Sequence, residues 1–130
     1  MSELRRIMHI EDDPSIQEVA RVALEIVGGF TVMSCASGAE GLENLEAFAP
    51  QLILLDVMMP GMDGPETLAR LRHTDFAANL PVVFMTAKVQ SQEIAEYHQL
   101  SAAGVIVKPF DPMTLADQIR SIWSQSHGEC

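Results

Sequence analysis

The stretch LILLDVMMPGMDG, residues 52–64, decides the fold class of this chain. Its apolar start is typical of a strand that is buried on both faces, and this strand runs directly into a carboxylate, Asp56. A loop with Pro60, Gly61 and Gly64 follows at once and predicts a sharp turn. A buried strand that ends on a charge before such a turn predicts that a sheet presents Asp56 at one of its edges.

Apolar runs alternate with helical patterns on both sides of this stretch. The predicted strands cover residues 6–10, 30–35, 51–55, 80–85 and 104–107. The predicted helices cover residues 15–27, 65–73, 91–100 and 111–125, and a further helix begins at residue 37. Strict alternation predicts an α/β fold, a doubly wound (βα)5 domain with helices on both faces of a five-stranded parallel sheet. We expect the flavodoxin-like strand order 2-1-3-4-5.

Several helix ends carry start signals. Asp13 followed by Pro14 predicts an N-cap for the first helix, and Ser37 with Glu40 has the spacing of a capping box. An Asp-Pro pair likewise opens the predicted helix at 111–125. The first helix is expected to bury one apolar stripe, made of Ile16, Val19, Ala20, Ala23 and Val27.

Length and composition indicate one globular domain. The chain has 130 residues, of which 48% are hydrophobic, and this suits a single packed core rather than a disordered chain. No linker or low-complexity segment is evident, so we expect a single domain over residues 1–130, with its core at about 5–125 and no output domain. Whether the chain is part of a longer protein is left open by the sequence.

Charge and hydropathy exclude several classes of partner. The formal net charge of −10 opposes binding to a polyanion, so we expect no direct contact with nucleic acid. No apolar run approaches the roughly 20 residues that span a bilayer, so we expect no membrane insertion. Acidic residues stand in the N-terminal stretch where a secretory signal has its apolar segment, which favours a cytoplasmic location.

The cysteines and histidines form no recognisable metal or disulfide pattern. Cys35 and Cys130 make no disulfide framework and no zinc motif, and Cys35 is expected to be a small buried residue rather than a nucleophile. The histidines are scattered without ligand spacing, and we assign no chemistry to them: His9, His73, His98 and His127.

Polar side chains follow four of the predicted strands. Glu11 and Asp12 follow the first strand, Asp56 the third, Thr86 the fourth and Lys108 the fifth. Ligands of open parallel sheets bind at the carboxyl ends of the strands, where the strand order reverses. We therefore expect these side chains to converge on one site.

Carboxylates that converge in this way need a cation or raised pKa values. Magnesium suits such a site, with manganese as a second candidate, because it takes one or two carboxylates, waters and a phosphate oxygen. A lysine suits the remaining charge of a phosphoryl group, and a threonine hydroxyl can donate a hydrogen bond to it. Asp56 can then serve as a nucleophile that becomes an aspartyl-phosphate.

Four segments occur in a specific order and spacing. They are MHIEDDP (8–14), LILLDVMMPGMDG (52–64), PVVFMTA (81–87) and VIVKPFD (105–111). Together they resemble the receiver domain of two-component response regulators, of the CheY-like superfamily, over nearly the whole chain. Any one segment alone is a weak signal, whereas the four together are highly specific.

The resemblance implies roles around the acceptor. Asp56 would be the phosphoacceptor and would share the metal with Asp12, which would bind the ion directly. Glu11 would act through water, and the backbone carbonyl of Met58 would complete the protein ligands. The side chains of Met58 and Lys88 flank the acceptor, at positions that tune the lifetime of the phosphoryl group in this family.

The resemblance also implies how a phosphoryl group is sensed. Thr86 would supply a hydroxyl that moves to the phosphoryl group, and Lys108 would pair with its charge. The Lys-Pro bond is usually cis in this family, which implies a cis bond before Pro109.

Two positions depart from the family pattern. Val105 stands where an aromatic ring often reports activation, and a valine cannot swing a ring; Glu11 stands where aspartate is common.

These expectations favour a phosphorylation switch. A histidine kinase or a histidine phosphotransfer protein would donate a phosphoryl group to Asp56 with Mg2+, and the altered surface would regulate a downstream protein target. We expect no enzymatic activity beyond self-catalysed phosphorylation and dephosphorylation. A homodimer is an open alternative to a monomer.

Three alternatives have different requirements. A receiver-like scaffold that works without phosphorylation would be expected to have a degraded site, whereas the key positions here are all filled. A phosphohydrolase of the haloacid dehalogenase type needs a second acid two residues after the nucleophile, and this chain has Met58 there. A flavodoxin-like FMN carrier needs a Ser/Thr/Gly-rich loop after the first strand, where this chain has acids.

Overall fold

The computed structural model describes residues 3–87 and 91–126, and within them five strands form one sheet. The strands are β1 (Arg6–Ile10), β2 (Thr31–Cys35), β3 (Leu52–Asp56), β4 (Val82–Thr86) and β5 (Gly104–Val107). Their order is β2-β1-β3-β4-β5 and all neighbours are parallel, which confirms the predicted fold class. Three residues discussed above lie outside the described ranges: Lys88, His127 and Cys130.

Helices connect the strands and cover both faces of the sheet. They are α1 (Pro14–Val22), α2 (Gly38–Phe48), α3 (Gly64–Arg72), α4 (Ser91–Gln99) and α5 (Leu115–Ser126). A π-helical turn over Ala23–Val27 continues α1. None of the helices that the structure describes combines the length and the apolar composition needed to cross a membrane.

Side-chain caps begin three of the helices. Asp13 begins α1 and accepts the backbone N–H of Ser15 at 2.8 Å, and Ser37 begins α2 and accepts that of Glu40 at 3.1 Å. Both caps were predicted. Asp63 caps α3 in the same way, which the sequence analysis did not identify, although a proline two residues later was a usable signal. These bonds satisfy N–H groups that have no partner within the helix.

The sheet separates two apolar cores. One core lies under α1 and α5 and includes Leu54 and Trp123, and the other lies under α2, α3 and α4 and includes Leu55 and Phe84. Every residue of β3 and β4 is buried, which confirms the burial predicted for β3 and is typical of strands that are covered on both faces. Because β3 is buried up to its last residue, its terminal carboxylate at Asp56 is held at a fixed edge of the sheet.

The apolar stripe of α1 differs from the prediction. Val19 and Val27 are 46% and 44% exposed, whereas Ala20, Ala23 and Leu24 are buried. The buried set has the i, i+3, i+4 spacing of one helical face, and its small alanines let the helix lie close to the sheet. The larger valines therefore fall at the margins of the buried face and remain partly in solvent.

The fifth helix begins later than predicted. Its first residue is Leu115 rather than Asp111. The Asp111 carboxylate accepts the backbone N–H of Met113 at 2.9 Å, and its carbonyl accepts that of Leu115 at 3.0 Å. The Asp-Pro pair thus starts a turn that leads into the helix, since an aspartate side chain readily bonds the backbone two residues on.

Candidate functional site

The predicted site residues surround one cavity at the carboxyl edge of the sheet. The cavity has a volume of about 270 Å³. Its lining includes six residues that the sequence analysis placed at the site: Glu11, Asp12, Asp56, Met58, Thr86 and Lys108. Asp13, Ile16 and Ala87 complete the lining and were not predicted there. The convergence that was expected from the strand order is therefore present in the fold.

Backbone hydrogen bonds continue past the strand ends and hold these residues in place. The N–H of Glu11 donates to the carbonyl of Cys35 at 2.9 Å, and the N–H of Lys108 donates to that of Thr86 at 2.9 Å. Asp56 is itself the last residue of β3 and pairs in register with β4. The functional side chains therefore stand on rigid strand ends rather than on a long loop, which limits their motion.

The acids of the site differ strongly in burial. Glu11 and Asp56 are 1% and 3% exposed, whereas Asp12 is exposed to solvent. One carboxylate oxygen from each of the three lies within 4.8 Å of those of the other two. Thr86 is also buried, and Met58 is largely exposed at the mouth of the cavity. The site is thus open on the side of Asp12 and closed behind Glu11 and Asp56.

Lys108 joins the two buried acids. Its Nζ lies 2.6 Å from Asp56 Oδ1 and 2.8 Å from Glu11 Oε1. The second oxygen of Glu11 accepts the backbone N–H of Asp13 at 3.2 Å. The peptide bond between Lys108 and Pro109 is cis, as the family resemblance implied.

Burial and charge alter the acidity of all three groups. Burial raises the pKa of Asp56, with Asp12 adding to the shift, and this outweighs the opposing effect of Lys108. Burial likewise raises the pKa of Glu11 against the hydrogen bonds from Lys108 and Asp13. For Lys108, burial alone would lower the pKa, but its hydrogen bonds to Asp56 and Glu11 raise it. Both buried carboxylates are therefore costly to keep ionised with one lysine between them.

The donor set fits a hard divalent cation. Three carboxylates within 4.8 Å of one another supply the oxygen ligands that such ions prefer, and the exposed side at Asp12 leaves room for the waters that Mg2+ retains. The chemistry available here is charge neutralisation next to a potential oxygen nucleophile.

One buried polar residue beneath the site was missed by the sequence analysis. His9 is fully buried two residues before Glu11, and neither ring nitrogen has a hydrogen-bond partner within the described residues. Burial, with the charge of Lys108 as a smaller cause, lowers its pKa to about 4. The available signal was a lone polar residue inside the apolar run of the first strand.

Comparisons with known proteins agree with this geometry. The family model described as "Response regulator receiver domain" matches residues 7–120. The transcriptional regulatory protein CseB of Streptomyces coelicolor is 34% identical over 122 residues, which are 94% of this chain and 50% of that protein. The response regulator Rre1 of Synechocystis is 32% identical over 122 residues, 94% of this chain and 53% of that protein.

Solved structures show the same architecture. The chemotaxis response regulator CheY4 of Vibrio cholerae aligns with a TM-score of 0.85 and 26% identity, covering 92% of this chain and 99% of that one. The chain spans about half the length of the curated relatives it matches. Proteins of this family are generally signalling components rather than enzymes. On the match over residues 7–120 and these relatives, the chain belongs to the response regulator receiver domains of two-component systems.

Proposed function

We propose that this chain is a phosphorylation switch in which Asp56 accepts a phosphoryl group in a step that depends on Mg2+. The observation that carries the proposal is the contact between Asp56 and Lys108 at 2.6 Å, at the end of a buried strand and within a cluster of three carboxylates. A structural ion pair would need one acid for one lysine. The additional acids leave an excess of negative charge that favours a cation and a phosphoryl group.

The proposed metal ligands are those that the family resemblance implies, and burial supports them. Asp12 is the exposed acid and would bind the ion directly together with Asp56, while Glu11 is paired with Lys108 and would act through water. The backbone carbonyl of Met58 would complete the protein ligands. When bound, Mg2+ or Mn2+ supplies positive charge that offsets the phosphoryl oxygens.

The chain's own residues then carry the transfer. A carboxylate oxygen of Asp56 attacks the phosphorus of a phosphohistidine, so that a P–O bond forms while the P–N bond breaks and the imidazole leaves. Lys108 already contacts Asp56 and pairs with the incoming negative charge. The Thr86 hydroxyl, buried at the end of the neighbouring strand, donates a hydrogen bond to a phosphoryl oxygen. The chain regulates through this state rather than turning over a substrate.

The surface next to the site supports a protein donor. An apolar cleft of about 360 Å³ opens beside the acceptor cavity and shares Ile16, Ala87 and Lys108 with it. Along α1 the apolar surface continues over Val19 and Val22, which are 46% and 47% exposed. We propose that a histidine kinase or histidine phosphotransfer protein lies on this surface, because an exposed apolar patch that borders a reactive group favours a protein partner.

The output is proposed to pass through a protein target. The names of CseB and several other relatives describe transcriptional regulators, and these proteins are about twice as long as the matched segment. With a net charge of −10, we expect no direct nucleic acid contact by the chain itself. The cytoplasmic location and the oligomeric state stay predictions from the sequence.

The test is the intact mass of the protein after incubation with acetyl phosphate and Mg2+. We expect the parent to gain one phosphoryl group, with no gain in EDTA and no gain in the Asp56→Asn variant. Asp75→Asn is the matched control, because Asp75 is exposed and distant from the acceptor cavity, and it should react like the parent. An unmodified parent would instead favour a scaffold that works without phosphorylation, and an adduct on Asp56→Asn would place the acceptor elsewhere.

A further inference from the structure

Two aromatic rings lie in contact on the α3 and α4 side of the sheet. Phe84 of β4 is fully buried and Tyr97 of α4 is 7% exposed. Their ring centroids are 5.0 Å apart with an interplanar angle of 61°, an edge-to-face arrangement that aromatic pairs favour. Phe84 stands two residues before Thr86, which ends β4 at the acceptor site. The aromatic pair therefore connects the carboxyl end of β4 to the surface helix α4.

The Phe84 ring also borders the backbone next to the acceptor. A Cβ placed on Gly64 would lie 3.2 Å from Phe84 Cε1 and only 2.7 Å from the carbonyl oxygen of Asp56. The start of α3 is therefore packed closely between the acceptor residue and this ring, with no room for a side chain at Gly64. A displacement of the backbone at Asp56 or at the end of β4 would therefore move the Phe84 ring, because well-packed interiors transmit displacement.

The neighbouring strand β5 has no aromatic side chain that could contact Phe84. Val105 of β5 pairs in register with Phe84 and packs, partly buried, against the same apolar core. The ring that contacts Phe84 comes instead from α4. The N–H of Ala102, in the turn between α4 and β5, donates to the carbonyl of Tyr97 at 3.1 Å. Tyr97 is thus the aromatic residue that links the site, the sheet and α4.

We propose that the Phe84–Tyr97 contact reports the phosphorylation state of Asp56 to α4, so that Tyr97 takes a new environment when the acceptor is modified. This inference rests on the proposed function of Asp56. Phe84 acts as a positioning residue: it transmits the displacement of the acceptor edge to the tyrosine ring.

The composition of the chain allows a direct test. Tyr97 is the one tyrosine of the sequence, so labelling with fluorotyrosine gives a single fluorine NMR signal from this ring. The full chain is treated with acetyl phosphate and Mg2+, and intact mass is recorded on the same samples. We expect the fluorine signal of the parent to shift in proportion to the phosphorylated fraction.

Two variants separate a relay from a general effect of core packing. Phe84→Leu keeps an apolar side chain but removes the ring contact, and we expect normal phosphorylation by mass with loss of the fluorine shift. Phe30→Leu is the matched control, because Phe30 is 5% exposed in the core on the opposite side of the sheet, and it should retain the shift. The measurement on the parent needs no variant and therefore stands even if Phe84→Leu does not fold.

The outcomes distinguish this inference from the function on which it rests. A parent that gains no phosphoryl group overturns the proposed acceptor and the relay together. A phosphorylated parent with an unchanged Tyr97 signal overturns the relay alone. A shift that persists in Phe84→Leu also overturns it, since the tyrosine would then sense the acceptor by another route.

Discussion

The two edges of the sheet use polar residues in opposite ways. At the amino edge, Gln51 accepts the backbone N–H groups of Arg5 and Arg6 at 2.6 and 3.0 Å and donates to the carbonyl of Glu3 at 3.0 Å. The guanidinium of Arg6 donates to the carbonyl of Phe48 at 2.9 Å and lies 4.3 Å from the centre of its ring. The polar groups of Gln51 and Arg6 at this edge therefore form hydrogen bonds with backbone groups of matching donor or acceptor type.

At the carboxyl edge the polar residues compete with one another. Glu11 and Asp56 are buried with raised pKa values and share Lys108. Among residues 3–87 and 91–126, neither ring nitrogen of His9 beneath them has a hydrogen-bond partner. Groups placed for stability are normally satisfied, whereas functional sites often keep strained or crowded groups at a cost in folding free energy. The comparison therefore assigns stability to the amino edge and chemistry to the carboxyl edge.

The largest expected effect concerns His9. Its ordinary pKa of 6.5 is lowered to about 4 in the fold, so the unfolded chain binds a proton that the folded one does not as the pH falls from 6.5 to 4. Stability is then unaffected above this window and decreases through it, reaching a loss of about 3 kcal/mol below pH 4. We expect His9→Leu to remove this loss, as measured by urea unfolding between pH 7.5 and about 4.

The comparison with the parent isolates the histidine. Glu11 and Asp56 have raised pKa values and change stability in the opposite direction on acidification, but both acids are present in each protein. Identical pH dependence of the two proteins would show that His9 gains a partner in solution and that the carboxyl edge is better satisfied than we infer.

The second effect tests the amino edge. Gln51→Ala removes the acceptor of two backbone N–H groups and a donor to Glu3, and we expect a loss of about 2 kcal/mol in the free energy of unfolding. Gln118→Ala is the control, because Gln118 is exposed on α5 and should change stability by less than about 0.5 kcal/mol. A loss in Gln51→Ala no larger than in the control would remove the distinction between the edges.

Bound Mg2+ is expected to offset the loss of folding stability that the crowded carboxylates cause at the carboxyl edge. At a concentration about ten times its dissociation constant, Mg2+ should stabilise the parent by about 1.4 kcal/mol, because it binds the folded state. Asp12→Asn should lose most of this gain, as seen in thermal unfolding with and without MgCl2. Asp75→Asn serves as the matched control, and equal stabilisation of both variants would argue against a metal site at the acidic cluster.

The smallest expected effect is a gain in stability when Asp56 is replaced, which is the direction expected of a residue kept for function rather than for folding. Asp56 has a raised pKa, so its ionised form opposes folding. This cost is absent below the ordinary pKa, grows as the pH rises from there to the folded pKa, and is fully present above it. In EDTA at pH 7 we therefore expect Asp56→Asn to be more stable than the parent by about 1 kcal/mol, while Lys108 retains Glu11 as a partner. A less stable variant in urea unfolding would mean that Asp56 serves the fold.

Much of this molecule was predictable because the relevant signals are local. Apolar periodicity predicted the strands and the fold class, and caps such as Asp13 and Ser37 were identified because a helix start depends on residues within one turn. The site residues Asp56 and Lys108 were predicted for a different reason. The carboxyl ends of parallel strands must meet at one edge, so a residue that follows a strand has a known place in the fold.

The tertiary structure decided the features that depend on contacts between distant segments. The periodicity of apolar residues in the sequence could not show that Val19 lies at the margin of the buried face, because its position depends on how closely α1 approaches the sheet. Nor could it show that His9 is buried without a hydrogen-bond partner in the part of the chain that the structure describes, or that the ring of Tyr97 meets Phe84. The sequence alone determined the elements, their order and the acidic edge, since these follow from local pattern and strand direction. The packing of helices on the sheet decided burial, acidity and the aromatic contact, because each depends on side chains that meet only in the folded chain.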